Sequence, residues 1–313
     1  MQELPIGEVV RNRRKELRLT QEMVCSGICE PMTLSRIENG KQSPSYNRVK
    51  AILQRLALPE DRYVALLKED ELRLEALKKE VDARTILVEN CSAPDRSKRR
   101  EEALRTLREL EDFAGEDQLT RQFILGQKVS LGKADVPYSL DEKLDLLTEA
   151  IRITCPRFNL EDINDFLYSR TEMGLIVRIA NAYALAGERW KAMNLYSQLL
   201  CYTRKHGWNQ PRYAEQLVMI LTNYARELNL DKRYGDSIEL ARLGWSIAIK
   251  YKVGSCLGTL LSVQANSYGC LGEKEKAKDF YLQAFYLYKA FGDLSGLFHL
   301  KNDALATLGM ELN

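Results

Sequence analysis

The chain has 313 residues, 45% hydrophobic and 29% charged, with a formal net charge of +2. That length suits about two domains with sizeable cores, and the composition is ordinary for a globular protein. No apolar run reaches the roughly eighteen residues of a membrane span, and the opening MQELPIGEVV lacks the charged and apolar parts of a signal peptide, so a cytoplasmic protein with no membrane partner is expected.

The small net charge hides an asymmetry. Residues 1–58 hold ten Lys or Arg against six Asp or Glu, a balance of +4, whereas the remainder carries −2. A basic amino-terminal part fits contact with phosphates. Seven cysteines, at 25, 29, 91, 155, 201, 256 and 270, are scattered without a CxxC pair and are expected to be reduced core thiols. Cys25 and Cys29 make a poor metal site in a chain with two histidines.

Residues 6–17 read as a first helix, with Ile6, Val9, Val10 and Leu17 in one buried stripe and Arg11, Arg13 and Lys15 around it. Thr20 can cap a brief helix that starts at Gln21, and Gly27 breaks it where the chain must turn. Pro31 then opens a helix running to about Asn39, since a first-turn proline loses no intrahelical donor. Leu34 and Ile37 lie three apart and face inward, which puts Met32, Thr33 and Arg36 on the other side as candidates for reaching base edges. Gly40 ends that helix and Pro44 begins a new element. Tyr46, Val49, Ile52, Leu53 and Leu56 follow at helical spacing, and Pro59 opens a fifth helix with Tyr63, Leu66 and Leu67.

Gly7, Arg11, Arg14, the LTQ of 19–21, the LSRIENGK of 34–41 and Pro44 together resemble the lambda-repressor-like (XRE-type) helix-turn-helix family over about residues 5–67. The resemblance implies that Gln21 contacts phosphate, that Met32, Thr33 and Arg36 face the major groove, and that Asn39, Lys41 and Ser43 grip the DNA backbone. It also implies a structural ion pair between Arg14 and Glu38. Glu30 and Pro31 depart from the small polar or amide residues that many members carry, so no relative's operator transfers to this chain.

Residues 68–90 form a charged helix with leucines at 72, 74, 77 and 87, read either as the amphipathic first helix of the next domain or as a dimer-organising linker. The segment NCSAPDRSKRR, 90–100, holds the next break. Beyond Pro94 the pattern is helical throughout, over 101–114, 117–131, 139–155, 160–186, 189–206, 211–230, 234–251, 255–271, 274–291 and 295–312. The expected organisation is a reader at 1–67, a linker helix at 68–92 and a repeat domain at 93–313.

Internal repeats decide the architecture. In 176–200 and 262–285, Asn181 matches Asn266, Tyr183 matches Tyr268, Gly187 matches Gly272, Ala192 matches Ala277 and Tyr196 matches Tyr281. Between them Asn223, Leu228, Ser237 and Ala241 take corresponding places, with a longer loop. Two helices per unit with a small residue at their crossing resemble tetratricopeptide repeats, although the period exceeds the usual length of about 34. The fold class is therefore all-α: a five-helix lambda-repressor-like domain followed by a tetratricopeptide-like solenoid.

In such a stack the first helices line a groove. Asn181, Asn223 and Asn266 recur there, each offering an acceptor and two donors to an extended peptide, with Arg178 one turn before Asn181 and Asn302 as a possible extension. The same asparagines could instead bond neighbouring helices within the stack. The tyrosines at 183, 196, 224, 268, 281, 286 and 288 are expected to pack between repeats.

An XRE-type domain followed by repeats with a recurrent inner asparagine resembles the RRNPP family of quorum-sensing regulators. That resemblance implies a cytoplasmic, homodimeric transcription factor that binds a double-stranded DNA operator. It further implies that a short signalling peptide lies in the repeat groove against Asn181, Asn223 and Asn266. The alternative is a DNA-tethered adaptor whose repeats bind a protein partner. With only His206 and His299, and no GxSxG, HExxH or phosphate-cradling glycine motif, no enzyme activity and no cofactor are expected.

Overall fold

A computed structural model describes residues 5–59, 69–89, 93–132, 137–164, 166–206 and 211–312. Within these residues every long element is a helix, and the chain divides into two compact units, the first ending at Ile176 and the second beginning at Val177.

The first unit begins with four short helices, α1 (Ile6–Glu16), α2 (Gln21–Cys25), α3 (Pro31–Glu38) and α4 (Tyr46–Arg55). Val10, Val24, Leu34, Ile37, Ile52, Leu53 and Leu56 close over a common core. The expected stripe on α1 is narrower than its spacing suggests. Val10 is buried, but Leu17 falls at the helix end and is 38% exposed. The fifth helix expected from Pro59, with Tyr63, Leu66 and Leu67, lies outside the described residues.

Next come α5 (Glu69–Glu89), α6 (Ala93–Ala114), α7 (Gln118–Leu131) and α8 (Leu140–Thr154). Leu77, Val81 and Val88 of α5 are buried with Leu107, Leu110 and Ile124, so α5 packs as an amphipathic helix of this unit. Leu72 and Leu87 stay exposed. In the segment 90–100, which is expected to hold a break, α6 starts at Ala93, and residues 90–92 lie outside the described residues. Local chemistry sets the other starts: Asp117 accepts the Thr120 amide at 3.0 Å, and Ser139 with Glu142 forms a capping box.

The helix expected from residue 160 begins only at Arg170, as α9 (Arg170–Leu185). Before it, Asn159 accepts the Glu161 amide at 3.0 Å and Asp162 the Asn164 amide at 2.9 Å, side-chain turns that outcompete helix formation. Phe158, Ile163 and Tyr168 are buried from this irregular stretch, so it contributes apolar core residues without forming a helix.

The second unit runs from within α9 through α10 (Arg189–Lys205), α11 (Ala214–Leu230), α12 (Tyr234–Tyr251), α13 (Leu257–Cys270), α14 (Lys274–Phe291) and α15 (Leu294–Leu308). From α10 onward each helix packs on the next, and α11, α13 and α15 also touch in turn, which is the pattern of a helical solenoid. The aligned small residues Ala192, Ser237 and Ala277 are fully buried. Tyr196, Tyr268, Tyr281 and Tyr288 are packing residues as expected, whereas Tyr286 is 65% exposed. The expectation of core thiols fails at Cys201 and Cys270, which are exposed, and Cys91 lies outside the described residues.

In the first unit, Arg55 at the end of α4 is almost wholly withdrawn from water. It donates to the carbonyl of Val24 at 3.1 Å, to that of Thr154 at 3.1 Å and to Glu172 Oε1 at 2.9 Å. Beside it, Gln54 bonds Thr171 at 3.3 Å, Asn47 donates to Asp117 at 2.7 Å, and Lys50 pairs with Glu75 at 2.7 Å. Burial works to raise the Glu172 carboxyl, and Arg55 together with the Thr154 and Ser169 contacts outweighs it, holding the group below the usual carboxylate range. Removing one partner of such a pair leaves the other charged and buried. Glu172→Ala should therefore destabilise the protein by about 3–5 kcal/mol, read as a drop in thermal midpoint. Because the folded value is depressed, the Glu172 contribution is present above about pH 4.3 and lost as the pH falls through the folded value. The acid limb of the stability profile should accordingly flatten in the variant.

Candidate functional site

The first candidate surface is built on α2, the turn and α3. Thr20 caps α2 as its sequence position suggests, accepting the Met23 amide at 3.1 Å. Leu34 and Ile37 are buried at 0% and 3%, which fixes the rotation of α3 and turns its other side out. Met32 is 67% exposed, Arg36 is exposed and Thr33 is half-buried. These three share the outer face of α3, Met32 and Thr33 in its first turn and Arg36 in its last.

Behind that face Arg14 holds Glu38 with two bonds, Nε to Oε1 at 2.6 Å and Nη2 to Oε2 at 2.8 Å, and also donates to the Leu19 carbonyl at 3.0 Å. Burial pushes the Glu38 carboxyl up, but the bonds from Arg14 and Gln21 outweigh it and hold the group below the usual range. The Gln21 amide, expected to contact phosphate, donates to Glu38 Oε2 at 2.8 Å and so supports this ion pair. Asn39 is also tied locally: its amide donates to the Ser35 carbonyl at 2.7 Å and its oxygen accepts from Arg11 at 3.4 Å. Lys41 and Ser43 are exposed in the loop that follows.

A backbone contact sets how closely α1 approaches α3. A Cβ built on Gly7 would lie 2.0 Å from the Ile37 carbonyl oxygen, so only glycine permits the observed spacing. Gly27, with φ of +68°, lies equally close to Thr154, where a Cβ would stand 2.3 Å from the carbonyl oxygen.

The second candidate surface lies in the second unit, on the first helices of successive pairs. Asn181 of α9 accepts from the Tyr196 hydroxyl and from the Asn223 amide, the latter at 3.0 Å. Asn266 of α13 donates to Thr307 at 3.4 Å. The recurrent asparagines therefore spend part of their capacity inside the stack, while the Asn223 carbonyl takes no partner among the described residues. Asn302 is exposed on α15, and Arg178 is half-buried one turn before Asn181.

Beside Asn266 is a cavity of about 600 Å³ walled by α11, α13 and α15. Arg226 from α11, Thr259 and Ser262 from α13, and His299 and Asp303 from α15 line it. Except for Asn266, these residues escape a search that follows only the repeated asparagine. Their signal is the spacing Thr259, Ser262, Asn266 and Ser295, His299, Asp303, one polar residue per turn on helices otherwise rich in apolar residues. Among the described residues no group of three or more His, Cys, Asp or Glu could hold a metal ion, and no helix is long and apolar enough to cross a membrane.

Residues 10–62 match a family described as Helix-turn-helix. No curated protein matches the chain. Among solved structures it is similar to PlcR of Bacillus thuringiensis in complex with the peptide PapR7 and DNA. That pair is 21% identical with a TM-score of 0.60, covering 95% of this chain and 99% of PlcR. The apo form of PlcR gives 20% identity and a TM-score of 0.58 over 94% of this chain and 98% of the other. These likenesses show the fold: all-α, with a helix-turn-helix bundle followed by a helical solenoid.

The contact between α1 and α3 is directly testable. Gly7→Ala should force the two helices apart and destabilise the amino-terminal bundle by about 1–3 kcal/mol or more. An unchanged melting curve and an unchanged amide spectrum for residues of α3 would contradict the close approach.

Proposed function

We propose that the chain is a DNA-binding transcription regulator of the RRNPP type, governed by a short signalling peptide held in the groove of its second unit. The observation that carries this reading is the face of α3. Leu34 and Ile37 anchor the helix while Met32, Thr33 and Arg36 stand outward, in a segment that matches a helix-turn-helix family. The basic balance of residues 1–58 supports the same assignment, since phosphate neutralisation dominates affinity for DNA. The exposure of Lys41 and Ser43 just beyond α3 supports their assignment to the DNA backbone.

The peptide half of the reading is supported by the fold shared with PlcR, which has been solved with PapR7 and DNA, and by a polar cavity of ligand size on the first helices of the solenoid. A single recognition helix of eight residues reads few base pairs, so the protein works as a homodimer on a roughly two-fold operator, with two α3 helices about one helical turn apart. Peptide binding shifts the population of arrangements that fit that spacing, by as much as its affinity differs between them. The role is regulatory and not catalytic.

Two substitutions test the two halves. On operators selected in vitro from random duplexes, Arg36→Ala should lose about 1–3 kcal/mol of discrimination at one base pair, as for a side chain paired with guanine. An equal loss on operator and random DNA would assign Arg36 to phosphate. Asn223→Ala should weaken binding of peptides selected against the full-length protein while leaving DNA binding without peptide intact. An unchanged peptide isotherm would confine Asn223 to its bond with Asn181.

A further inference from the structure

The cavity walled by α11, α13 and α15 carries a charge pattern that says more about its occupant. Thr259, Ser262 and Asn266 give it a neutral, hydrogen-bonding floor. Arg226, on the α11 wall, has a counter-charge of its own, with Glu227 at 3.6 Å. Asp293, at the opposite rim, is also engaged, since it caps α15 and accepts the Gly296 amide at 2.8 Å.

Asp303 differs from both. It is half-buried on the α15 wall and makes no hydrogen bond or ion pair among the described residues. Burial pushes its carboxyl up, and only the neighbouring His299 draws it back. A carboxylate partly withdrawn from water without a counter-charge is costly, and folding alone gives no reason to keep one there. Placed in a cavity whose volume falls in the range of ligand sites, it is complementary to a cation that arrives with the ligand.

We propose that Asp303 is the cation subsite of this cavity, and that the ligand is a short peptide presenting a positively charged group to α15. The shared chemistry is an ammonium or guanidinium, supplied either by a free amino terminus or by a lysine or arginine side chain. This rests on the peptide-receptor reading above and adds the charge of the ligand and the wall of the groove that it meets.

The test uses full-length protein and a library of random hexapeptides, displayed with free and with acetylated amino termini, followed by fluorescence anisotropy on the best binders. Binders should carry a positive group. Asp303→Asn, which keeps the shape and removes the charge, should weaken them by about tenfold or more. Asp303→Glu should retain binding, and Asp303→Lys should turn the preference toward acidic peptides. Loss on acetylation assigns the charge to the amino terminus, and loss on replacing lysine by norleucine assigns it to a side chain. Binders without a positive group, or an Asp303→Asn variant with unchanged Kd, would overturn the cation subsite and leave the peptide reading standing. If no peptide binds the wild-type protein, the receptor reading falls and this proposal falls with it.

Discussion

A guanidinium and a carboxylate that have both given up nearly all their water set the terms for the first unit. Arg55 is 4% exposed and Glu172 1%, a state tolerated only because every neighbouring group is turned to serve it. The carbonyls of Val24 and Thr154 accept from Arg55, and the Ser169 amide donates to Glu172. These partners come from the helix-turn-helix, from the end of α8 and from the approach to α9. The turn at Gly27, pressed on Thr154 without room for a side chain, belongs to the same closure. Residues far apart in sequence are thereby made to fold together, since leaving any one of them out strands a buried charge. The resemblance to the helix-turn-helix family ends near residue 67, and the compact unit that contains it runs on to Ile176.

The helices of the amino-terminal bundle are legible because their signals are local. Thr20 caps, Pro31 starts, and Leu34 with Ile37 faces inward, each within a few residues of the element it specifies. The solenoid is legible because a repeated pattern is its own control: Ala192, Ser237 and Ala277 agree with one another in the sequence alone. The stretch before α9 was misread for a physical reason. Phe158, Ile163 and Tyr168 are buried like helical core residues, but Asn159 and Asp162 bond their own backbone and hold the chain in turns. Apolar spacing reports burial, and burial alone does not dictate the backbone that achieves it.

The candidate surfaces divide along the same line. The outward face of α3 follows from helical geometry once its buried side is known, so Met32, Thr33 and Arg36 could be named in advance. The resemblance implies a phosphate contact for Gln21, and the structure adds a bond from its amide to Glu38. That bond depends on α3 meeting α2, a tertiary fact with no local signal. The same holds for the ends of Arg55: nothing near position 172 announces that a glutamate there will meet an arginine 117 positions earlier. In the groove the repeat revealed the asparagines and concealed Asp303, which has no counterpart in the other repeats.

The bond between Asn181 and Asn223 has a consequence for whatever chain settles along the first helices. With its oxygen shared between the Tyr196 hydroxyl and the Asn223 amide, Asn181 is fixed in one rotamer, and Asn223 is fixed with it. The conformational entropy of both side chains is surrendered during folding, before any guest arrives. The Asn223 carbonyl is thereby presented in a preorganised orientation, so docking there loses less freedom than docking on two mobile amides would. The two positions are coupled by that bond, so the effects of substituting them are not expected to add.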